Sequence, residues 1–316
     1  MTGTILTPAS ARVVDPILTN VLLGYDLSQD YVFPHIFPHV PVRARGGKII
    51  EFDAEQFMEV DLIRAPGADR MRVRFKRSSK SFALEQRAVD GILELENIQE
   101  SRTIGIDEQA HHAMAAYDLA LLQTEIDAAT LATTTSNYST SNVTTLSGTS
   151  QWDHASSKPA QTVDDAKVVI KGKIGVYPNT LVVGGDVHLA LRTNGDVLDR
   201  VKYTGMRRGD VGVNSAALAE YFGVEHYVPA ETVKGKIGAF TELWADKAWL
   251  GYVPPPAMRN MRKPSFGYTY RLNGYPMASP AWFDRKCDSY IFPVTTEEKS
   301  VIAMKDAGYL FSDVLA

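Results

Sequence analysis

The sequence predicts an α+β protein, and three stretches of the chain carry that prediction. Residues 46–90 alternate polar and apolar side chains with the period of two that is typical of strands. Residues 106–133 contain neither glycine nor proline and are rich in alanine and leucine, which favours one helix about 40 Å long. Residues 162–252 alternate short helical patterns with apolar strand patterns, which indicates a compact α/β unit.

The bulk composition narrows the function classes. With 316 residues, 45% hydrophobic and 22% charged, the chain can form one large or two small globular domains. The net charge of −4 argues against a surface that wraps DNA. The single cysteine, Cys287, cannot form an internal disulfide and is expected to be a structural thiol. Because no basic segment precedes an apolar stretch at the N-terminus and no long apolar run occurs, we expect a soluble protein made in the cytoplasm, with no membrane partner.

The first 45 residues predict an extended N-terminal arm. Three prolines interrupt the segment VFPHIFPHVPV, namely Pro34, Pro38 and Pro41. They forbid a continuous helix and remove hydrogen-bond donors from a strand ladder. A long extended arm buries little against its own core, so its apolar side chains, Phe33 and Phe37 among them, are expected to contact a neighbouring subunit.

A long two-stranded hairpin is predicted to follow the arm. Its second strand carries four cations on one face: Arg70, Arg72, Arg74 and Lys76. An isolated hairpin is marginal in water, so this one is expected to pack on another chain. The four cations could contact nucleic acid or an acidic patch of a neighbouring subunit. The lack of interleaved aromatic side chains favours the second interpretation, so we treat these residues as hypothetical inter-subunit contacts.

The long helix is expected to begin at Asp107, whose side chain can cap it, and to bury one apolar stripe. The stripe consists of Met114, Tyr117, Leu121, Leu122, Ile126 and Ala129. Residues 133–161 are rich in serine, threonine and asparagine and predict an irregular loop with room for a short hairpin. Residues 253–316 are again typical of strands.

No stretch of the sequence carries a strong catalytic or cofactor motif. His111 and His112 are adjacent, so they point in different directions and do not form a zinc-protease motif. His35 and His39 would face together only in a helix, which the prolines disfavour. The segment VVGGD at 182–186 could bind phosphate at a helix start, but a tight strand-to-helix turn is the simpler interpretation. We therefore predict no cofactor, no metal and no enzymatic activity.

Four phrases of the sequence resemble the major capsid proteins of tailed double-stranded DNA bacteriophages. They are YPNTLVVGGDVHLALRTNGDVLDRVKY at 177–203, LAEYFGVEHYVPA at 218–230, ELWADKAWLGYVP at 242–254 and KDAGYLFSDVL at 305–315. The order of segments also resembles the Hong Kong 97-type fold of that family. The resemblance implies an N-terminal arm at 1–45, an E-loop β-hairpin at 46–89, a peripheral domain with a long spine helix at 90–161, an axial α/β domain at 162–252, and a return to the peripheral domain at 253–316.

The same resemblance implies a structural function. A coat protein of this family self-assembles as hexamers and pentamers into an icosahedral shell around packaged double-stranded DNA, which it touches non-specifically on its inner face. The implied partners are other copies of the chain, a scaffolding protein, a portal and often a decoration protein. The implied location is the virion capsid, assembled in the host bacterial cytoplasm. Some relatives cross-link a lysine of the E-loop to a neighbour, and Lys48, Lys76 and Lys80 are candidates by location alone.

Three other functions stay open at this point. The alternative closest to a coat protein is an encapsulin-like compartment shell, which has the same fold without a phage and would be distinguished by co-purifying cargo. A nucleotide- or metal-binding α/β enzyme is disfavoured because its motifs are missing. A decoration or tail-tube protein is disfavoured because those proteins are usually smaller and mostly β.

Overall fold

The computed structural model describes residues 15, 16, 18, 19, 22, 31–51, 63, 78–97, 108–203, 213–236, 238–256 and 265–316. The helices are α1 Phe33–Ile36, α2 Glu108–Thr133, α3 Pro159–Ile174, α4 Gly185–Thr193, α5 Gly195–Tyr203 and α6 Ser215–Phe222. The strands are β1 His39–Val42, β2 Gly46–Glu51, β3 Ser78–Ala83, β4 Glu85–Glu94, β5 Val143–Thr145, β6 Thr180–Gly184, β7 His226–Ala230, β8 Val233–Lys236, β9 Ala239–Glu242, β10 Ala248–Gly251, β11 Gly267–Leu272, β12 Met277–Ala278, β13 Trp282–Asp284, β14 Ser289–Ile302 and β15 Gly308–Ser312. Short 3₁₀ turns lie at Thr135–Asn137, Thr140–Asn142, Gly148–Ser150 and Lys305–Ala307.

The first of two large sheets is built around β14, the longest strand. One side of β14 pairs antiparallel with β4 along all ten residues of β4. The other side pairs in turn with β13, β12 and β11, and β1 adds to β11 in parallel. The long helix α2, which we call the spine helix, packs against β4 and β14. The spine helix and the strands β11 to β14 lie in segments that the sequence resemblance assigns to a peripheral domain, whereas β1 lies in the segment assigned to the arm and the first half of β4 in that assigned to the E-loop.

The spine helix lies close to its sheet because its buried face is made mainly of small residues. The buried alanines are Ala113, Ala116, Ala120, Ala128, Ala129 and Ala132. Of the predicted stripe, Tyr117, Leu121 and Ala129 are buried, whereas Met114, Leu122 and Ile126 are half-buried. The closest approach is at Gly91 of β4, where an added Cβ would lie 2.7 Å from the carbonyl oxygen of His112. The helix prediction is confirmed over Glu108–Thr133, and Asp107 lies outside the described residues.

The second large sheet has the order β5-β15-β10-β6-β7 and carries the helices α3 to α6. Its central strands β6 and β10 are buried at every residue. The strand β5 lies in the segment that we predicted to be a loop, and it pairs in parallel with the C-terminal strand β15. The last strand of the chain therefore joins this sheet, whereas the division at 253–316 assigned it to the peripheral domain.

The end of the N-terminal segment is not an extended arm, which corrects the prediction for residues 33–42. Phe33–Ile36 form one helical turn with Pro34 at its start, where proline is tolerated. The next residues form β1, which pairs with β11 at the edge of the first sheet. Pro41 fits there because an edge strand can lack a donor. The prolines exclude a long helix, but they do not exclude this turn followed by an edge strand.

The base of the predicted hairpin is present in the structure. The strands β2 and β3 pair antiparallel from Gly46 with Ala83 to Glu51 with Ser78. Phe82 of β3 stacks on Tyr270 of β11 with ring centroids 4.6 Å apart. This contact fixes the base of the hairpin to the outer side of the first sheet. The remainder of the hairpin lies almost wholly outside the described residues.

Candidate assembly site

The residues that the sequence singled out for contact with neighbours fall into two groups. Arg70, Arg72, Arg74 and Lys76 lie outside the described residues, so their role stays a prediction. Phe33 and Phe37 lie in the core of their own chain, with 3% and 0% of their surface exposed. Phe37 packs on Phe266 with ring centroids 5.6 Å apart. A neighbour could reach these two rings only if the segment were exchanged between subunits, so that contact also stays a prediction.

A buried carboxylate fastens the N-terminal segment to the spine helix. Glu125 is 1% exposed, and its Oε2 accepts hydrogen bonds from the backbone N–H groups of Val32 at 3.1 Å and Phe33 at 2.7 Å. These are unsatisfied donors at the start of α1, so the side chain acts as a cap supplied from another element. Burial raises the pKa of Glu125 to about 7, although the amides of Phe33 and Val32 and the indole of Trp244 oppose that rise. The carboxyl group therefore joins the arm to the spine helix.

An ion pair inside the first sheet joins β11 and β14 to the spine helix. Arg271 Nε donates to Glu298 Oε2 at 2.7 Å, and the Glu298 side chain is 1% exposed. Thr124 of the spine helix donates to the other carboxylate oxygen at 2.7 Å, and Arg87 of β4 donates to Thr124 at 2.7 Å. Burial acts to raise the pKa of Glu298, but the positive charge of Arg271 and the hydrogen bonds from Thr124 and Arg271 hold it below its usual range. The network ties three strands and the helix into one unit.

A second ion pair holds the hairpin base. Arg45, just before β2, contacts Glu297 Oε1 at 2.7 Å. The Glu297 side chain is only 3% exposed, whereas that of Arg45 is 63% exposed. This pair is not visible in the sequence alone, because two adjacent glutamates such as Glu297 and Glu298 are also typical of a solvated loop. A run of two acids in the middle of a long strand pattern of mainly apolar and hydroxyl residues is the signal that could have found both pairs.

The glycine turn considered for phosphate binding is already occupied by a side chain of the same protein. The segment forms the end of β6 and the start of α4, as the strand-to-helix interpretation predicted. Glu242 lies against this helix start: its Oε1 would be 3.2 Å from a Cβ added at Gly185. Burial raises the pKa of Glu242, and nearby Asp186 adds to that rise through its charge. An external phosphate would meet two carboxylates there, so the turn is structural.

The described residues offer little support for a metal site, a ligand cavity or a membrane span. They contain no group of three or more histidine, cysteine, aspartate or glutamate residues that could hold a metal ion. One open cavity of about 280 Å³ lies between the spine helix and β14, but its charged groups are paired, Arg87 with Asp127 and Lys299 with Glu85. Cys287 is exposed at the turn between β13 and β14, and its role as a structural thiol stays a prediction. Within the described part of the chain, no helix is long and apolar enough to cross a membrane.

Comparisons with known proteins agree with this architecture. The chain is 30% identical over 308 residues to the major capsid protein of Burkholderia phage BcepMu, which covers 96% of the chain and 97% of that relative. A crystal structure of a phage-related protein from Bordetella bronchiseptica RB50 is 28% identical, covers 96% of this chain and 98% of its own, and superposes with a TM-score of 0.81. No family model matches the chain.

More distant structures share the fold. The capsid structure of cyanophage P-SCSP1u superposes with a TM-score of 0.56 at 9% identity, covering 99% of this chain and 91% of its own. The holo-SrpI encapsulin of Synechococcus elongatus PCC 7942 gives a TM-score of 0.53 at 11% identity, covering 100% and 93%. At such identities the likeness shows the fold alone. The encapsulin likeness is also weaker than the relation to the phage coat protein, so the mixed helix-and-sheet fold is the Hong Kong 97-type and the chain belongs to the family of phage major capsid proteins.

Proposed function

We propose that this coat protein assembles as hexamers and pentamers into a closed icosahedral shell around phage double-stranded DNA. The observation that carries the proposal is the relation to the BcepMu major capsid protein over nearly the whole length of both chains. Assembly takes place in the host bacterial cytoplasm, with a scaffolding protein and a portal, and a decoration protein can bind the outer surface. The inner face contacts DNA without reading its sequence, and no membrane is involved.

The division into parts follows the fold only in outline. We assign 1–45 to an arm, 46–89 to the E-loop and 162–252 to the axial domain. The strand β4 spans the boundary at 89, since it extends to Glu94 and pairs with β14 throughout. The peripheral domain then comprises 90–161 and 253–316, apart from β5 and β15, which pair with the axial sheet. Two crossing segments of this kind would make the two domains move as one body.

The tip of the E-loop supplies the contact between subunits in this proposal. Its base is fixed by Phe82 on Tyr270 and by Arg45 on Glu297, so the hairpin leaves its own subunit in a set direction. The row Arg70, Arg72, Arg74 and Lys76 then meets acidic groups of the next subunit. Reversing these four charges is expected to prevent closed shells. Normal particles from the charge-reversed variant would exclude this contact.

The shell protein has no catalytic task in this proposal. The acidic side chains that are buried in the described residues connect structural elements: Glu125 caps a helix, and Glu297 and Glu298 pair with arginines. A covalent cross-link would be the exception. It would appear as chains of higher mass on a denaturing gel of purified particles.

Negative-stain electron microscopy of the expressed protein, with and without the neighbouring phage genes, tests the proposal directly. Closed shells, or rings of five and six subunits, are expected. Monomers under every condition would contradict it. An encapsulin-like compartment is the alternative, and the contents of the shells distinguish the two, because nuclease-protected DNA is expected in particles made during infection whereas a compartment would contain a co-purifying cargo protein.

A further inference from the structure

Two asparagines of this chain, Asn194 and Asn273, are followed directly by glycine. An asparagine in this setting is chemically labile, because the backbone nitrogen of the next residue can attack the side-chain amide and form a cyclic succinimide. Glycine hinders that attack least, since it has no Cβ and the greatest backbone freedom. The sequence therefore contains two candidate sites of spontaneous deamidation, and their surroundings in the fold differ.

The first of these asparagines is held in place by its side-chain hydrogen bonds. Asn194 lies between α4 and α5 and is 6% exposed. Its Nδ2 donates to the carbonyl oxygen of Trp152 at 2.8 Å and to Ser157 Oγ at 2.9 Å. Its Oδ1 accepts from the backbone N–H groups of Asp196 at 2.9 Å and Val197 at 3.4 Å. The side chain cannot turn toward the next backbone nitrogen without breaking these bonds.

The second asparagine lies in an exposed turn between β11 and β12. Asn273 and Gly274 are both exposed, and the Asn273 side chain makes no hydrogen bond to a residue that the structure describes. Gly274 has a φ of +88° and no atom within 4 Å of a Cβ added there. One backbone hydrogen bond closes the turn, from the N–H of Tyr275 to the carbonyl oxygen of Leu272 at 3.2 Å. The peptide bond between Asn273 and Gly274 can therefore rotate into the geometry of attack at little cost.

The exposed turn is attached to the end of the N-terminal segment. The backbone N–H of Asn273 donates to the carbonyl oxygen of Val42 at 2.9 Å. Val42 is the last residue of β1, and shortly after it Arg45 forms the ion pair with Glu297 at the hairpin base. A chemical change at Asn273 thus acts close to the point where the hairpin leaves its own subunit.

We propose that Asn273 is a site of spontaneous deamidation in the folded subunit and that Asn194 is protected from it. In the first step the nitrogen of Gly274 bonds to Cγ of Asn273, the Cγ–Nδ2 bond breaks, and Nδ2 leaves as ammonia with the proton of the Gly274 amide. In the second step water opens the ring at either of its two carbonyl groups, which yields aspartate or isoaspartate. Both products add a negative charge to the turn, and isoaspartate also adds one carbon atom to the backbone path.

The hydrogen bonds of Asn194 set the expected difference in rate between the two sites. Four of them must break before the ring can close. Each slows the reaction by roughly a factor of five, at about 1 kcal/mol for one hydrogen bond. The folded subunit should therefore convert Asn273 on the order of several hundredfold faster than Asn194. In the unfolded chain neither site has these restraints, so the two rates should be similar.

The consequence for the hairpin base rests on the proposed function and has its own measurement. Chains that carry isoaspartate at position 273 should be depleted from closed shells relative to unmodified chains of the same preparation, because the longer turn disturbs the attachment of β1. Equal incorporation of both forms would overturn this consequence and leave the deamidation site intact. Fresh, unmodified protein that forms no shells under any condition would instead overturn the proposed function.

Peptide mass spectrometry of the full-length subunit, incubated at mildly alkaline pH in buffer and in urea, tests the site itself. In buffer, the mass gain of an amide-to-acid conversion should appear in the peptide that contains Asn273 and not in the one that contains Asn194, whereas in urea both should convert. Asn273→Gln is the matched control and should abolish the first gain, because a glutamine side chain cyclises far more slowly. Conversion of Asn273 in urea but not in buffer would overturn the inference, and so would equal conversion of both sites in a sample that circular dichroism shows to be folded.

Discussion

Glu125 permits the most quantitative prediction, because its burial should make the stability of the subunit depend on pH in a defined direction. The carboxyl group is 1% exposed, and only one of its two oxygens, Oε2, accepts hydrogen bonds at the geometry seen for Val32 and Phe33. Its pKa lies at about 7 in the folded chain against 4.5 in the reference state. Since one pKa unit corresponds to about 1.4 kcal/mol, ionisation of the buried group costs the folded state about 3 kcal/mol.

The direction of the pH dependence follows from the raised pKa of Glu125. The folded state holds the proton more tightly than the unfolded state, so stability falls as pH rises from about 4.5 to about 7 and is constant outside that window as far as this group is concerned. We expect Glu125→Gln to remove this dependence, because the amide oxygen can still accept the two backbone hydrogen bonds. The free energy of unfolding of the variant, minus that of the wild type, should therefore increase by up to about 3 kcal/mol between pH 4.5 and pH 8.

Urea unfolding of the unassembled subunit at a series of pH values measures this difference, and any constant cost of the substitution cancels. Glu96→Gln, which removes an exposed carboxyl group, is the matched control. A difference that stays flat across the range, or that falls with rising pH, would refute the assignment of Glu125 as a buried, proton-binding cap. The cost of ionising Glu125 can also be compared with the apolar packing of the arm. About 3 kcal/mol is less than the stabilisation from burying Phe33 and Phe37, at roughly 1.5–3 kcal/mol for each side chain, together with their apolar neighbours. Ionisation should thus weaken the arm without releasing it.

Three further predictions concern the packing of the same layer and are checked by denaturant unfolding. Arg271→Met should cost about 3–5 kcal/mol, because it strands the buried charge of Glu298, whereas Arg271→Met combined with Glu298→Gln should cost less than the single change. Gly91→Ala should destabilise by about 1–3 kcal/mol through a clash with the spine-helix backbone, while Gly172→Ala, with open space above it, should stabilise the unassembled subunit by up to about 1 kcal/mol. Phe37→Ala should cost about 3–5 kcal/mol if its ring belongs to the core of its own subunit, and an effect near zero on the isolated subunit would favour a contact with a neighbour.

Local sequence patterns were sufficient to predict the helices and strands whose type and ends are set by neighbouring residues. The spine helix follows from an uninterrupted run of good helix formers, and β6 follows from an apolar run between turn residues. The end of α6 at Gly223, with a φ of 58°, follows from the need for a left-handed residue at that position. These features are fixed by residues within a few positions of one another, so they can be found without knowledge of the fold.

Pairings between distant residues were not predictable in the same way. The parallel pairing of β1 with β11 joins residues about 230 positions apart, and that of β5 with β15 joins residues about 167 apart. Nothing in VFPHIFPHVPV or in a serine- and threonine-rich segment indicates which distant strand supplies the partner. The buried acids were missed for a related reason, since Glu125 and Glu298 look like surface residues until their donors on other elements are known.

The location of those buried acids suggests how a coat subunit directs its appendages. Two of them lie where an appendage is attached, Glu125 at the arm and Glu297 at the hairpin base, while Glu298 lies between the sheet and the spine helix. A buried ion pair adds little net stability compared with apolar packing, but it tolerates only a narrow geometry. A shell subunit needs that property more than extra stability, because a small change in the angle of the hairpin is multiplied over its length before it meets a neighbour. Replacing Arg45 and Glu297 together by apolar residues should therefore leave the stability of the isolated subunit nearly unchanged and still impair closed shells, a combination that loss of packing alone would not produce.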